Sequence, residues 1–226
     1  MPQPFLPKFS RKRYVVGPEA LKDRPKLASA TGRCISTWSW VDNEIGGLFG
    51  ILLGTDSPSA YAAFLILRRW SNQRDVLDAV ANEKLAGDEI AVYQALITEY
   101  GGLEAERNRL AHSCFGNCPD DDNLLFTVDV KHHVRWQAEI LPKHAKGIIP
   151  SDPHAGLKEK MYVYRLSELE TLHGHMEQLW WDVFYFNGYL RASGNSGRIA
   201  EFQKVLKSDH IQQHIRSIKS GSSPPR

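Results

Sequence analysis

A chain of 226 residues that is 42% hydrophobic and 24% charged has the balance of an ordinary globular protein, which excludes a largely disordered chain. Its formal net charge of +2, from 28 basic and 26 acidic side chains, is too close to neutral for a protein that coats nucleic acid through bulk charge, although a local basic patch is compatible with it. No run approaches ~18 consecutive apolar residues, the first residues lack the apolar core of a secretory signal, and three cysteines supply no disulfide framework, so a cytoplasmic protein outside the membrane is expected.

Taken in chain order, residues 1–28 read as an irregular arm, with Pro2, Pro4 and Pro7 beside the basic triplet Arg11, Lys12 and Arg13. A first helix is predicted over Thr31 to Leu53, because Cys34, Trp38, Val41, Ile45, Leu48 and Leu52 recur at steps of three and four. Gly46-Gly47 within it suits close helix packing. Gly54 closes the helix, and Asp56-Ser57-Pro58 carries a capping pattern for a second one over Ser59 to Trp70. A third helix follows over Asn72 to Leu85. A fourth starts after Asp88 and runs to about His112, with an interruption expected at Gly101-Gly102.

The pattern then changes. Cys114 to Asp122, with glycine, proline and three consecutive aspartates, reads as a loop. Leu124 to Val130 and Val134 to Ile140 read as strands, and Met161 to Tyr164 as a third. On that reading His132 and His133 occupy adjacent strand positions and point to opposite faces. Ser167 and Glu170 form a capping box for a long helix reaching about Leu190, and its aromatic run around Trp180, Trp181, Phe184 and Tyr185 is expected in the core. An amphipathic segment over Arg198 to Ile218 and a disordered tail over 220–226 complete the chain. The predicted fold is mainly α: a helical bundle forming a single domain over 29–219, with a small antiparallel β element inserted at about 123–165.

One segment carries chemistry: Arg107-Asn108-Arg109-Leu110-Ala111-His112 at the end of the fourth helix. Tyr93, Leu96, Tyr100, Leu103, Arg107 and Leu110 share one stripe, so Arg107 occupies a position where an apolar residue is expected. A buried guanidinium needs a carboxylate or a polar cleft. Glu44, on the inner phase of the first helix, is the best supporting partner; Asp42 and Glu106 fall on more exposed phases. Asn108 and His112, four apart, share a face, which lets Asn108 orient the ring.

An arginine, a polar residue, three more residues and a histidine at a helix end resemble the motif of the HEPN superfamily. The stretch from Ala60-Tyr61-Ala62-Ala63-Phe64 through Arg74-Asp75-Val76-Leu77-Asp78-Ala79-Val80 is similar to that superfamily's second and third helices. The resemblance covers roughly residues 31–115. It implies catalytic roles for Arg107, Asn108 and His112 in metal-independent RNA cleavage at a dimer interface. Several active toxins of the family have an aromatic residue two positions after the histidine, where this chain has Cys114.

The chemistry is coherent on its own. Attack by a ribose 2′-hydroxyl needs a proton acceptor, which an imidazole with an ordinary pKa of about 6.5 provides, and a cation for the phosphorane, which a guanidinium provides. A five-residue step sets Arg107 and His112 about 140° apart on one helix, so either the helix unwinds at Ser113 or two copies of the motif meet across a two-fold axis, and the second option makes a homodimer the expectation. Cys114-x3-Cys118 has no second pair of ligands at zinc spacing, so ordinary thiols are expected, with no metal and no cofactor. Two functions stay open. One is an RNA-binding, metal-independent endoribonuclease in defence or RNA processing, with RNA and a regulatory protein as partners. The other is a non-catalytic helical module for dimerisation or partner binding.

Overall fold

The computed structural model describes residues 2–4, 9, 13–55, 57–148, 155–192 and 195–219. The predicted tail over 220–226 lies outside the described residues. Nine helices are found among the described residues: α1 (Pro25–Leu52), α2 (Pro58–Ile66), α3 (Trp70–Lys84), α4 (Asp88–Ala111), α5 (Val130–Ala145), α6 (Ala155–Lys158), α7 (Leu166–Arg191), α8 (Asn195–Leu206) and α9 (Asp209–Lys219). Five strands join them: β1 (Gln3–Pro4), β2 (Val15–Val16), β3 (Ser113–Cys118), β4 (Asp121–Asp129) and β5 (Met161–Arg165). The fold is mainly α with a small antiparallel sheet. None of the described helices is long and apolar enough to cross a membrane.

The chain divides into two compact units, Met1–Ser36 with Ala105–Gly174 and Thr37–Glu104 with His175–Arg226. The first unit holds the sheet, ordered β1-β5-β4-β3-β2 with every neighbouring pair antiparallel. Its core gathers Phe9, Cys118, Leu124, Phe126, Val128, Leu157, Met161 and Val163. Gln3–Pro4 and Val15–Val16 of the N-terminal arm thus join the sheet. Its two short strands cover both edges, and Pro4 is tolerated because an edge strand leaves one side of its backbone unpaired. Arg13 and Arg24 of this segment bind Asp120 and Asp122 at 2.8 and 3.1 Å, so two of the three consecutive aspartates face arginines of their own chain.

The structure departs from the expected loop over Cys114 to Asp122 and from the expected strand over Val134 to Ile140. Cys114 to Asp122 is mostly strand, with only Pro119-Asp120 turning the hairpin between β3 and β4. Gly116 sits in β3 because a Cβ there would come within 2.9 Å of the Val15 carbonyl on β2. Val134 to Ile140 is not a strand but the middle of α5. Asp129 starts this helix by accepting a hydrogen bond from the Lys131 N–H at 2.9 Å. His133, Trp136 and Ile140, at steps of three and four, form its inner stripe, while Val134 is 54% exposed. The apolar alternation imitated a strand because the helical stripe shares Trp136 and Ile140 with it.

In the second unit the predicted helical stripes are buried. Trp38, Val41, Ile45, Leu48 and Leu52 of α1 are all below 5% exposed, as are Tyr93, Leu96 and Tyr100 of α4. Tyr100 packs between Trp38 and Trp70 and donates to Asp42 at 2.7 Å. The expected interruption at Gly101-Gly102 does not occur, and α4 runs through both. Gly101 suits that place because the Trp70 ring nitrogen lies 3.3 Å from where its Cβ would be. Gly54 closes the turn after α1 at φ +70°, and Ser57 caps α2 with Pro58 at its first position.

Three further expectations shift. α7 starts at Leu166, capped by the Glu168 carboxylate accepting from the Arg165 N–H at 2.8 Å, so Ser167 and Glu170 are not its capping box. The strand β5 runs into the helix without a loop, and this moves the cap two positions earlier. The aromatic run of α7 is not buried all round: Val183 and Phe186 are, but Trp181 and Phe184 are 37% and 44% exposed. The last amphipathic segment is two helices, broken at Ser208, whose hydroxyl donates to the buried Asp182 at 3.0 Å.

Two stability tests follow. A Cβ at Gly46 of α1 would overlap the Tyr61 ring of α2, so Gly46→Ala should cost about 1–3 kcal/mol in chemical denaturation. Adding Tyr61→Ala should make the alanine at position 46 nearly neutral in that background; an equal cost in both backgrounds would contradict the contact. Asp129 is held below the ordinary carboxylate range, chiefly by the Lys131 N–H, against a smaller opposing effect of burial. Its ionised form therefore contributes stability above about pH 3.9, and the contribution is lost as pH falls through the lower folded value. Asp129→Ala should cost about 1 kcal/mol at neutral pH, with the difference from wild type shrinking below about pH 4.

Candidate functional site

The end of α4 meets the sheet at a point where three chain junctions coincide. α4 passes into β3 at His112-Ser113, β4 passes into α5 at Asp129-Val130, and β5 begins at Met161. Antiparallel register aligns them: Ser113 pairs with Asp129, Val128 with Met161 and Thr127 with Tyr162. A cleft of about 490 Å³ opens there. From α4 and its end come Asn108, Arg109 and His112; from the start of α5, His132; from the chain entering β5, Glu159 and Lys160; and from β5 itself, Tyr162. Ser113 and Asp129 complete the polar lining.

Two of the three residues expected to be catalytic, Asn108 and His112, are brought together in this cleft. His112 is exposed in the turn after α4, and its N–H closes the helix on the Asn108 carbonyl at 3.0 Å. Arg107 is half-buried, and its Nη1 donates to Asn108 Oδ1 at 2.8 Å, one position from the cleft wall rather than on it. The described side-chain bond of Asn108 is thus to the arginine before it. The arginine that lines the cleft is Arg109.

Arg109 is held by two neighbours. Its Nη1 donates to both oxygens of Glu106 at 2.8 and 2.7 Å, and its guanidinium lies 4.3 Å from the Tyr162 ring centre. The Glu106 side chain is only 13% exposed and also accepts from the Tyr164 hydroxyl at 3.2 Å. Burial pushes the Tyr164 hydroxyl well above its ordinary range, and the adjacent Glu106 pushes it in the same direction, so this hydroxyl stays a donor. Glu106 is therefore the carboxylate of this segment, serving Arg109 rather than Arg107.

Glu44 belongs to the second unit. It is half-buried on α1, as its phase requires, and its carboxylate and backbone carbonyl both accept from Asn187 Nδ2 at 2.9 Å. It lines a separate cleft of about 450 Å³ with Gly46, Gly47, Tyr61 and Arg191.

Sequence reasoning missed Arg109, His132, Lys160 and Tyr162. For Arg109 a signal existed: it stands three residues after Glu106 and three before His112, on one helical face. His132 was hidden by the strand assignment of its surroundings, and nothing local linked Lys160 or Tyr162 to a helix fifty residues away. Two of the cysteines are held as thiols: burial pushes Cys34 up to about 11, and burial followed by the nearby Asp129 raises Cys114. Among the described residues no three His, Cys, Asp or Glu side chains are grouped as metal ligands. Compared with family models, with curated proteins and with solved structures, the chain matches none.

Removing the carboxylate should expose how much depends on it. Glu106→Ala leaves a guanidinium and a buried hydroxyl without their shared acceptor and should lower unfolding stability by roughly 1–3 kcal/mol. Tyr164→Phe, which removes only the hydroxyl, should cost less; the reverse order in urea titrations would show that Glu106 is dispensable.

Proposed function

We propose that this cleft binds a phosphodiester of RNA and cleaves it without a metal, by attack of the 2′-hydroxyl, as the resemblance to the HEPN superfamily implies. The observation that supports the reading is one cleft that joins His112 and Asn108 to two cations, Arg109 and Lys160. His112 supplies proton transfer, Arg109 donates paired hydrogen bonds to the non-bridging oxygens, and Lys160 adds a second positive charge. The chemistry needs no metal because imidazole and guanidinium together cover proton transfer and charge. Arg107 acts on this reading through Asn108, which it holds at the wall. RNA, a second copy of the chain and a regulatory protein are the proposed partners, with defence or RNA processing as the setting.

The alternative is a non-catalytic module. It is favoured by the exposed Trp181 and Phe184 of α7, which meet edge to face at 5.8 Å and offer an apolar contact surface. A nuclease assay separates the two. Wild-type protein should cut single-stranded or loop RNA in EDTA and leave 2′,3′-cyclic phosphates. His112→Ala, compared at matched stability, should cut roughly 10²–10⁴-fold more slowly. Equal cleavage by the two proteins, or strict dependence on added magnesium, would leave the binding-module reading.

A further inference from the structure

The cleft holds two imidazoles, and the reading above employs one of them. Resting on that reading, we infer that His132 is a second catalytic residue of the cleft, the general acid that protonates the departing 5′ oxygen of RNA, while His112 of the same chain accepts the 2′ proton.

The geometry supports this pairing. His112 stands at the end of α4 and His132 in the first turn of α5, and the register of Ser113 with Asp129 sets those two junctions side by side. Both rings line one cleft, together with the two cations that would hold the non-bridging oxygens. Asp129 links the two junctions, pairing with Ser113 next to His112 and starting the helix that carries His132. Its carboxylate, held below the ordinary range chiefly by the Lys131 N–H, lies within electrostatic reach of His132. Among the described residues, the other charges lining the cleft are Arg109 from α4 and Glu159 and Lys160 ahead of β5, and Asp129 pairs with Lys131 of α5 at 3.5 Å.

The step balances without a further reactant. The 2′ oxygen bonds to phosphorus as its proton passes to neutral His112. The bond from phosphorus to the 5′ oxygen breaks as that oxygen takes a proton from His132. The products are a 2′,3′-cyclic phosphate and a free 5′-hydroxyl, with one proton moved from one imidazole to the other. The substrate class is RNA, since DNA has no 2′-hydroxyl.

The test uses the full chain and two substrates, a short single-stranded RNA and the same RNA with sulfur in place of the 5′ bridging oxygen at one linkage. A thiolate departs without needing a proton. His132→Ala and His132→Gln should each cut ordinary RNA roughly 10²–10⁴-fold more slowly than wild type and lose the alkaline limb of the pH–rate profile. Both should return close to the wild-type rate on the sulfur substrate, whereas His112→Ala should stay slow on both. His144→Ala, an exposed histidine on the same helix, should behave as wild type. Mixing His112→Ala with His132→Ala should restore nothing. Three results would overturn the inference: wild-type rates for the His132 variants, equal slowing on both substrates with both pH limbs kept, or activity restored by mixing. Absence of cleavage by the wild-type protein would instead remove the nuclease reading on which the inference rests.

Discussion

A single carboxylate organises the cleft. Glu106, only 13% exposed, takes two hydrogen bonds from Arg109 one turn further along α4 and one from Tyr164 on β5. That shared acceptor ties the end of a helix to a strand more than fifty residues away. It also aims a guanidinium across the face of Tyr162 instead of leaving it to swing in solvent. A long cationic side chain loses much rotamer freedom when it is held, so the paired acceptor and the ring beneath it are what make a fixed cation possible here.

The remaining groups are set by backbone alone. A helix that ends at Ala111 and a strand that begins at Ser113 leave only His112 between them. The antiparallel register then brings the end of β4 opposite that point, and Asp129 both ends the strand and caps α5. His132 rides on the first turn of that helix. Each imidazole is thereby carried by the end of a regular element, a more rigid support than a long loop. The short β1 and β2 strands of the arm cover the outer edges of the same sheet, so the arm supports the platform from which the cleft is built.

Helices with a long apolar stripe were legible in the sequence: the positions from Trp38 to Leu52 in α1 and from Tyr93 to Tyr100 in α4 are buried as their spacing requires. The start of α5 was not, because Val134, Trp136, Ala138 and Ile140 alternate as a strand does while His133, Trp136 and Ile140 recur as a helix does. Only the Asp129 cap distinguishes the two. At the site, Asn108 and His112 were legible from their four-residue spacing. Arg109 was passed over for Arg107 because helical phase alone marks which residue turns inward, and says nothing of which carboxylate lies beside it. Lys160 and Tyr162 depend on strand register, which is a property of pairing between distant segments and leaves no local trace.

The central claim is that His112 and His132 face one bound phosphodiester. It is tested most directly by following the imidazole resonances in NMR while adding a dinucleotide whose 2′-hydroxyl is replaced by hydrogen, so that it binds without being cut. The account predicts that the signals of His112 and His132, assigned by substitution, move along one binding curve, that Arg109→Ala weakens that curve, and that His144 stays still. Movement of His112 without His132, or curves with different midpoints for the two, would contradict it.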